Sequence, residues 1–224
     1  MNWMKGTFGG FLSVAVLFSG AAAQDAPQDP TVTASTPRER QIELALSAAP
    51  AEVSSKAAVY ILGPKGYEKA REGTNGISCF IWRSFSETTQ VSAAPACFDA
   101  VGSQTLMVTA MRSEELRAQG KSEAEIKEDI AKGYKNGRYK APGPGFLYMM
   151  SNENYFYSSG AKRWSTVPPH VMFYAPYKTA KDAGYESTSP TMVPSVTGDG
   201  PETLMVVFAK KPSEDRSSGN SHKH

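Results

Sequence analysis

The sequence predicts an α+β fold, with a mainly antiparallel sheet of about five to seven strands and a few short helices packed on it. Short apolar runs, rich in β-branched and aromatic residues, recur along the chain between turns that contain glycine and proline. Two further segments begin with residues that favour helix starts. A single pair of cysteines indicates one covalent link within this fold.

The first strands are predicted at residues 57–62, 67–71 and 77–82. A glycine–proline turn separates the first two, and Asn75-Gly76, a strong hairpin signal, precedes the third. Short turns of this kind join antiparallel neighbours, so the sequence predicts a three-stranded meander.

Cys79 and Cys97 are the only cysteines, and we expect them to form a disulfide across a polar loop at residues 84–95. The chain-entropy model gives such a link a stabilisation of about 3 kcal/mol. The alternative is a redox pair, which usually has the closer C-x-x-C spacing. Two cysteines without histidine ligands do not make a tetrahedral zinc site.

Helices are predicted at both ends of the central region. Thr36 is a candidate cap for a helix over residues 37–47, which should cover one face of the meander. Residues 106–111 form an apolar run that we interpret as a strand, and residues 113–120 then read as a short helix.

Ser122 and Glu125 form a capping box at the start of the next predicted helix. That helix carries Ile126, Ile130 and Tyr134 on one stripe and should end near Gly137. The two helices resemble a helix-turn-helix, but the mixed acidic and basic face favours a packing hairpin.

The last third of the chain predicts further strands. Residues 146–150 and 154–157 should pair with each other, and residues 170–177 form another core strand. Residues 178–185 suit a short helix. Residues 203–209 give the clearest strand pattern, and we place them at the centre of the sheet.

Residues 1–23 read as a secretory signal peptide. Lys5 supplies the positive charge, residues 11–18 are apolar but too short to span a bilayer, and an A-x-A pattern predicts cleavage after Ala23. An uncleaved anchor is the alternative. The mature chain is therefore expected to be soluble, without a membrane span, and periplasmic or extracellular, where a disulfide can persist.

Composition divides the remainder of the chain. Residues 24–36 read as a flexible linker, residues 37–210 as a single α+β domain, and residues 211–224 as a disordered tail. The net charge of +2 is small and no basic stripe is present, which argues against nucleic acid as a partner. We expect neither a cofactor nor a metal, because His222 and His224 on the tail are weak ligands.

His170 is the only histidine outside the tail and the one candidate for a general base. A half-buried histidine bonded to the backbone is the simpler interpretation. No G-x-S-x-G or other local nucleophile signature accompanies it, so a catalytic set is unknown from the sequence.

Aromatic residues cluster in the same third of the chain. Tyrosine and tryptophan combine an apolar body with a polar tip, which suits the binding of sugars, peptides or small amphiphiles. Ordinary core packing is the alternative interpretation. The predicted ligand-binding set is His170, Tyr174, Tyr177, Trp164 and Tyr148.

Four blocks, at residues 71–76, 97–99, 115–122 and 168–177, together resemble an uncharacterised family of predicted exported bacterial proteins. The resemblance covers most of the chain after Gln41. It implies export, and it brings no known activity, fold or site.

Three functions follow as hypotheses. The first is a non-catalytic exported protein that binds a small molecule or an envelope protein, through the aromatic region near His170. The second is a secreted hydrolase that uses His170. The third is a structural or protein-interaction module. A bound small molecule would favour the first. A polar pocket that places His170 beside a serine or a carboxylate would favour the second, and a large exposed apolar patch without a pocket the third.

Overall fold

The computed structural model describes residues 30–86, 89–158, 160–186, 194–198 and 200–209. Within them the α+β class is confirmed: helices pack on one mixed, mostly antiparallel sheet of ten strands, more than the sequence predicts. The predicted signal peptide, most of the predicted linker and the predicted tail lie outside these residues.

The ten strands are short, and eight of them form a continuous path in the order β2-β1-β3-β4-β5-β8-β10-β9. The remaining two form an arm, in which β6 pairs with both β4 and β7. In chain order the strands are β1 (Ala58–Gly63), β2 (Gly66–Arg71), β3 (Ser78–Ser86), β4 (Thr89–Phe98), β5 (Phe146–Met149), β6 (Tyr155–Ser158), β7 (Arg163–Thr166), β8 (His170–Tyr174), β9 (Ser195–Thr197) and β10 (Leu204–Phe208).

Helices lie on both faces of this sheet. In chain order they are α1 (Arg38–Leu46), α2 (Ala51–Ser54), α3 (Ala100–Ser103), α4 (Leu106–Ala118) and α5 (Glu123–Lys135), and a 3-10 helix follows at Lys181–Ala183. Among these helices, none has the length and apolarity needed to cross a lipid bilayer.

The first three strands form, but the predicted meander is wrong. β1 lies between β2 and β3, and its pairing with β3 is parallel, with Val59 opposite Cys79. The physical reason is burial. Val59 is fully buried beneath the helices, whereas Glu68 and Lys69 of β2 are exposed, so the polar strand takes the edge position.

The predicted loop at residues 84–95 is also wrong, because β3 extends to Ser86 and β4 begins at Thr89, and the two strands pair with each other along their length. Cys79 and Cys97 stand directly opposite each other in this hairpin, with their Cα atoms 4.0 Å apart, and they form the predicted disulfide. Both are fully buried, and Cys97 Sγ lies 3.6 Å from the carbonyl oxygen of Ala45 in α1.

Residues 106–111 are helical, which corrects the prediction of a strand, and they continue into the predicted helix at 113–120 as α4. Leu106 and Met107 are almost fully buried, and Ala110 and Met111, one turn later, pack against the same core. Apolar pairs spaced by four residues suit a helix lying on a sheet.

The capping box that begins α5 is confirmed. Ser122 Oγ accepts from the Glu125 N–H, and the Glu125 carboxylate accepts from the Ser122 N–H at 2.9 Å. That backbone bond, with Lys121 beside it, lowers the pKa of Glu125 to about 2. At α1 the predicted cap is wrong, because Thr36 Oγ1 accepts from Thr33 N and caps a turn before the helix.

Two strand placements in the last third are corrected. β6 does not return along β5; it pairs with β4 through Ser92–Phe156 and Ala93–Tyr155. β10 is second from the sheet edge, because β9 pairs with its outer side. The central positions belong to β4 and β5.

The two faces of the sheet bury different cores. On one, α3 and α4 cover a cluster that includes Phe80, Phe98 and Leu147. On the other, α1 and α2 cover the alanine-rich cluster around the disulfide. From Pro30 the predicted linker packs on that second face, where Val32 is buried against Leu44 and Ile81.

We expect the double substitution Cys79→Ala with Cys97→Ala to lower the free energy of unfolding by about 3 kcal/mol, because the bond closes a loop between cysteines 18 residues apart. Urea denaturation monitored by tryptophan fluorescence measures the change. A loss below about 1 kcal/mol would show that the hairpin does not depend on the bond.

Candidate functional site

The structure does not gather the five predicted ligand-binding residues into one pocket. Alternation along paired strands places His170 and Tyr174 on the face covered by α4, and Tyr148 and Trp164 on the opposite face. Tyr177 follows β8 and is exposed. Ligand binding by this set stays a prediction.

His170 is buried in the sheet and bonded to the backbone. Its Nδ1 lies 2.7 Å from the carbonyl oxygen of Pro168, and its ring is 5.5 Å from the ring of Phe208. Nε2 is buried and has no hydrogen-bonding partner among the described residues, so no serine or carboxylate there forms a catalytic pair with it. Burial lowers the pKa of His170 below its ordinary value.

Tyr174 has a structural role in this geometry. Its hydroxyl lies 2.7 Å from the carbonyl oxygen of Phe146 and 3.0 Å from Asp99 Oδ1. Burial, and then the nearby Asp99 carboxylate, raises the pKa of Tyr174. A Cβ at Gly102 would lie 2.0 Å from this hydroxyl, so a side chain at Gly102 would displace it. Tyr174 therefore fixes α3 against β5 and β8.

Part of the sheet face that carries Tyr148 is apolar and partly exposed. Phe173 is 47% exposed and Val207 38% exposed, on neighbouring strands. We call this surface the bare half-face, and its members come from β5, β8 and β10: Phe146, Tyr148, Val171, Phe173, Met205 and Val207.

A larger concave feature lies on the other face, between the sheet, α4 and α5. This α5 cavity has a volume of about 460 Å³. Its apolar walls are Trp82 and Phe85 from β3, Ala110 from α4, and Ile126 and Ile130 from α5. Two other cavities are each about 220 Å³. The α5 cavity is therefore the principal candidate site in the described part of the chain.

One end of the α5 cavity carries a carboxylate. Glu202 Oε1 lies 2.6 Å from the hydroxyl of Thr109 and accepts a hydrogen bond of 2.9 Å from the hydroxyl of Tyr134. Among the described residues, no lysine or arginine forms an ion pair with Glu202. Burial, and then the charge of Glu202, raises the pKa of Tyr134.

Tyr177 lies near this carboxylate end. Its N–H donates to the carbonyl oxygen of Gly200 at 2.8 Å, which ties it to the loop that carries Glu202. Its φ is 63°, a left-handed conformation that is costly for a tyrosine, and its side chain is 63% exposed. Its phenol is also among the groups that raise the pKa of Tyr134. Tyr177 does not line the α5 cavity itself, but it lies beside the loop at the carboxylate end.

The opposite end of the α5 cavity is closed by a chain of charged groups. The buried carboxylate of Glu114 pairs with Arg83 and, at 2.6 Å, with Arg117. Arg117 also binds Glu123 through two contacts of 2.5 and 2.9 Å. The Arg117 guanidinium lies 4.1 Å from the ring centre of Phe85. At this end the charges of Arg83 and Arg117 are therefore matched by those of Glu114 and Glu123.

Sequence reasoning identified the α5 stripe of Ile126, Ile130 and Tyr134 but missed the other wall of the cavity. Glu202 lies two positions before β10 and matches no motif. Thr109 lies in the run of residues that the sequence predicts as a strand. In the described part of the chain, no cluster of histidine, cysteine and carboxylate residues could hold a metal.

We expect the protein to lose stability as the pH falls from about 7.5 to about 5.5, because His170 has a lowered pKa in the folded state. The unfolded chain binds a proton near the ordinary histidine value of 6.5, before the folded chain does. Urea unfolding at both pH values should show a smaller loss for His170→Gln. Equal losses in the two proteins would contradict this assignment.

No family model matches this chain, and the comparisons with curated proteins and with solved structures give no match. Function therefore has to be inferred from the geometry of the chain itself.

Proposed function

We propose that the protein binds a small amphiphilic molecule in the α5 cavity and does no chemistry on it. The observation that carries this proposal is the cavity itself. Its volume of about 460 Å³ lies within the usual range for ligand sites, roughly 300–1,000 Å³. Its middle is apolar and its ends are polar, as amphiphile binding requires.

The alternatives have less support. The hydrolase would need a serine or a carboxylate hydrogen-bonded to His170, but His170 bonds to the backbone of Pro168 and its Nε2 has no partner among the described residues. The interaction module would use the bare half-face, but its most exposed members, Phe173 and Val207, are apolar and offer no polar group to fix an orientation. The α5 cavity combines apolar walls with placed hydroxyl and carboxylate groups, so it supports binding of a small molecule best.

We propose that the protein acts after export. The signal-like pattern at residues 1–23 and the resemblance to an exported bacterial family support this location. The buried Cys79–Cys97 disulfide is compatible with an oxidising compartment such as the periplasm or the extracellular space.

Binding can be tested with N-phenyl-1-naphthylamine, a neutral dye that fluoresces in apolar sites. We expect saturable binding by the wild type. Ala110→Leu, which fills part of the α5 cavity, should weaken it by about tenfold, equivalent to ~1.4 kcal/mol. The control is Val108→Leu, on the same helix at a position 40% exposed and outside the cavity. No saturable binding, or equal affinity in both variants, would contradict the proposal.

Export can be tested by mass spectrometry of the protein recovered from the exported fraction after treatment with a thiol label. We expect the mass of a chain cleaved after Ala23 with no label on Cys79 or Cys97. An intact amino terminus would contradict cleavage, and labelled cysteines would contradict oxidation in that compartment.

A further inference from the structure

We infer that the Glu202 end of the α5 cavity receives a positively charged head group, so that the ligand is a cationic amphiphile such as an alkylammonium. This inference rests on the proposed function, because it names the class of molecule that the cavity binds. Its basis is the charge and the aromatic surroundings of Glu202.

The carboxylate of Glu202 carries a negative charge at one end of the α5 cavity. Glu202 Oε1 is held by two hydroxyl groups, and the carboxylate has no ion-pair partner among the described residues. By contrast, the Arg117 guanidinium at the far end is matched by Glu114 and Glu123. Among the described residues that line the cavity, Glu202 is therefore the carboxylate without a cation.

Two tyrosines lie near the carboxylate of Glu202. Tyr134 lines the α5 cavity and holds Glu202, while Tyr177 is held beside the same loop through Gly200. Tyrosine rings attract ammonium groups through their faces, and a carboxylate with aromatic neighbours is a recurrent way to bind alkylated ammonium ions. The Tyr177 side chain is 63% exposed beside this loop.

The cavity also suits the remainder of such a molecule. Ile130 and Ile126 lie one and two helical turns before Tyr134 along α5, and Trp82 faces them from the sheet. Eight residues of helix span about 12 Å, enough for a short alkyl chain to run from the carboxylate toward the arginine end. Lys127 lines the cavity at that distant end, so it does not compete for the head-group position.

The test compares octyltrimethylammonium, octyl glucoside and octyl sulfate, which share one tail, in displacement of the neutral dye. We expect the wild type to bind the cationic ligand about tenfold more tightly than the neutral one, and the anionic ligand least. In Glu202→Gln the ratio of cationic to neutral affinity should fall toward one. The control Glu128→Gln removes the same charge from an exposed face of α5 and should keep the ratio.

Each outcome distinguishes the two proposals. If the wild type binds the octyl ligands without preference for charge, the head-group assignment is overturned while binding in the cavity stands. If it binds none of them, both are overturned. Should Glu202→Gln fail to fold, the wild-type ratio measured against salt decides: a preference due to charge shrinks as ionic strength rises, and a constant ratio contradicts it.

Discussion

The buried carboxylate of Glu114 is the constraint on which the arrangement around the α5 cavity depends. A charge at 3% exposure is tolerated only when it is paired and hydrogen-bonded, and here two guanidinium groups pair with it. Arg83 comes from β3 and also donates to the carbonyl oxygen of Val32, so one carboxylate links the amino-terminal segment, the sheet and α4. Arg117 extends the chain of charges to Glu123 and fixes the start of α5. The cavity walls therefore owe their spacing to charge pairing as well as to apolar packing.

Asp99, which precedes α3, is a second carboxylate that links several elements of the fold. Its side chain caps α3 by accepting from the N–H of Gly102, and it also accepts from the N–H of Phe146, which begins β5. Tyr174 adds a third contact from β8. These bonds join α3, β5 and β8 at one point, in the segment that leads into α4.

Local patterns in the sequence predicted much of the fold, because caps, turns and the cysteine pair act over short distances. The capping box at Ser122 and the glycine end at Gly120 are examples. The predictions that were wrong concern which strands pair with each other when they are far apart in the sequence. Whether β2 or β1 lies beside β3 depends on which strand is polar enough for an edge, and the order of β8, β10 and β9 depends on pairing across the whole domain. The candidate site likewise depends on residues that meet only in the folded domain. Thr109, Tyr134 and Glu202 are far apart in the sequence, and no spacing rule predicts that they lie together.

The position of the disulfide has a consequence for the order of assembly. Cys79 and Cys97 belong to neighbouring strands of one hairpin, so oxidation needs only that hairpin and none of the long-range pairs of the sheet. In the finished domain α1 covers both sulfur atoms. The hairpin alone would leave the bond open to solvent, and α1, once docked, shields it from reductants.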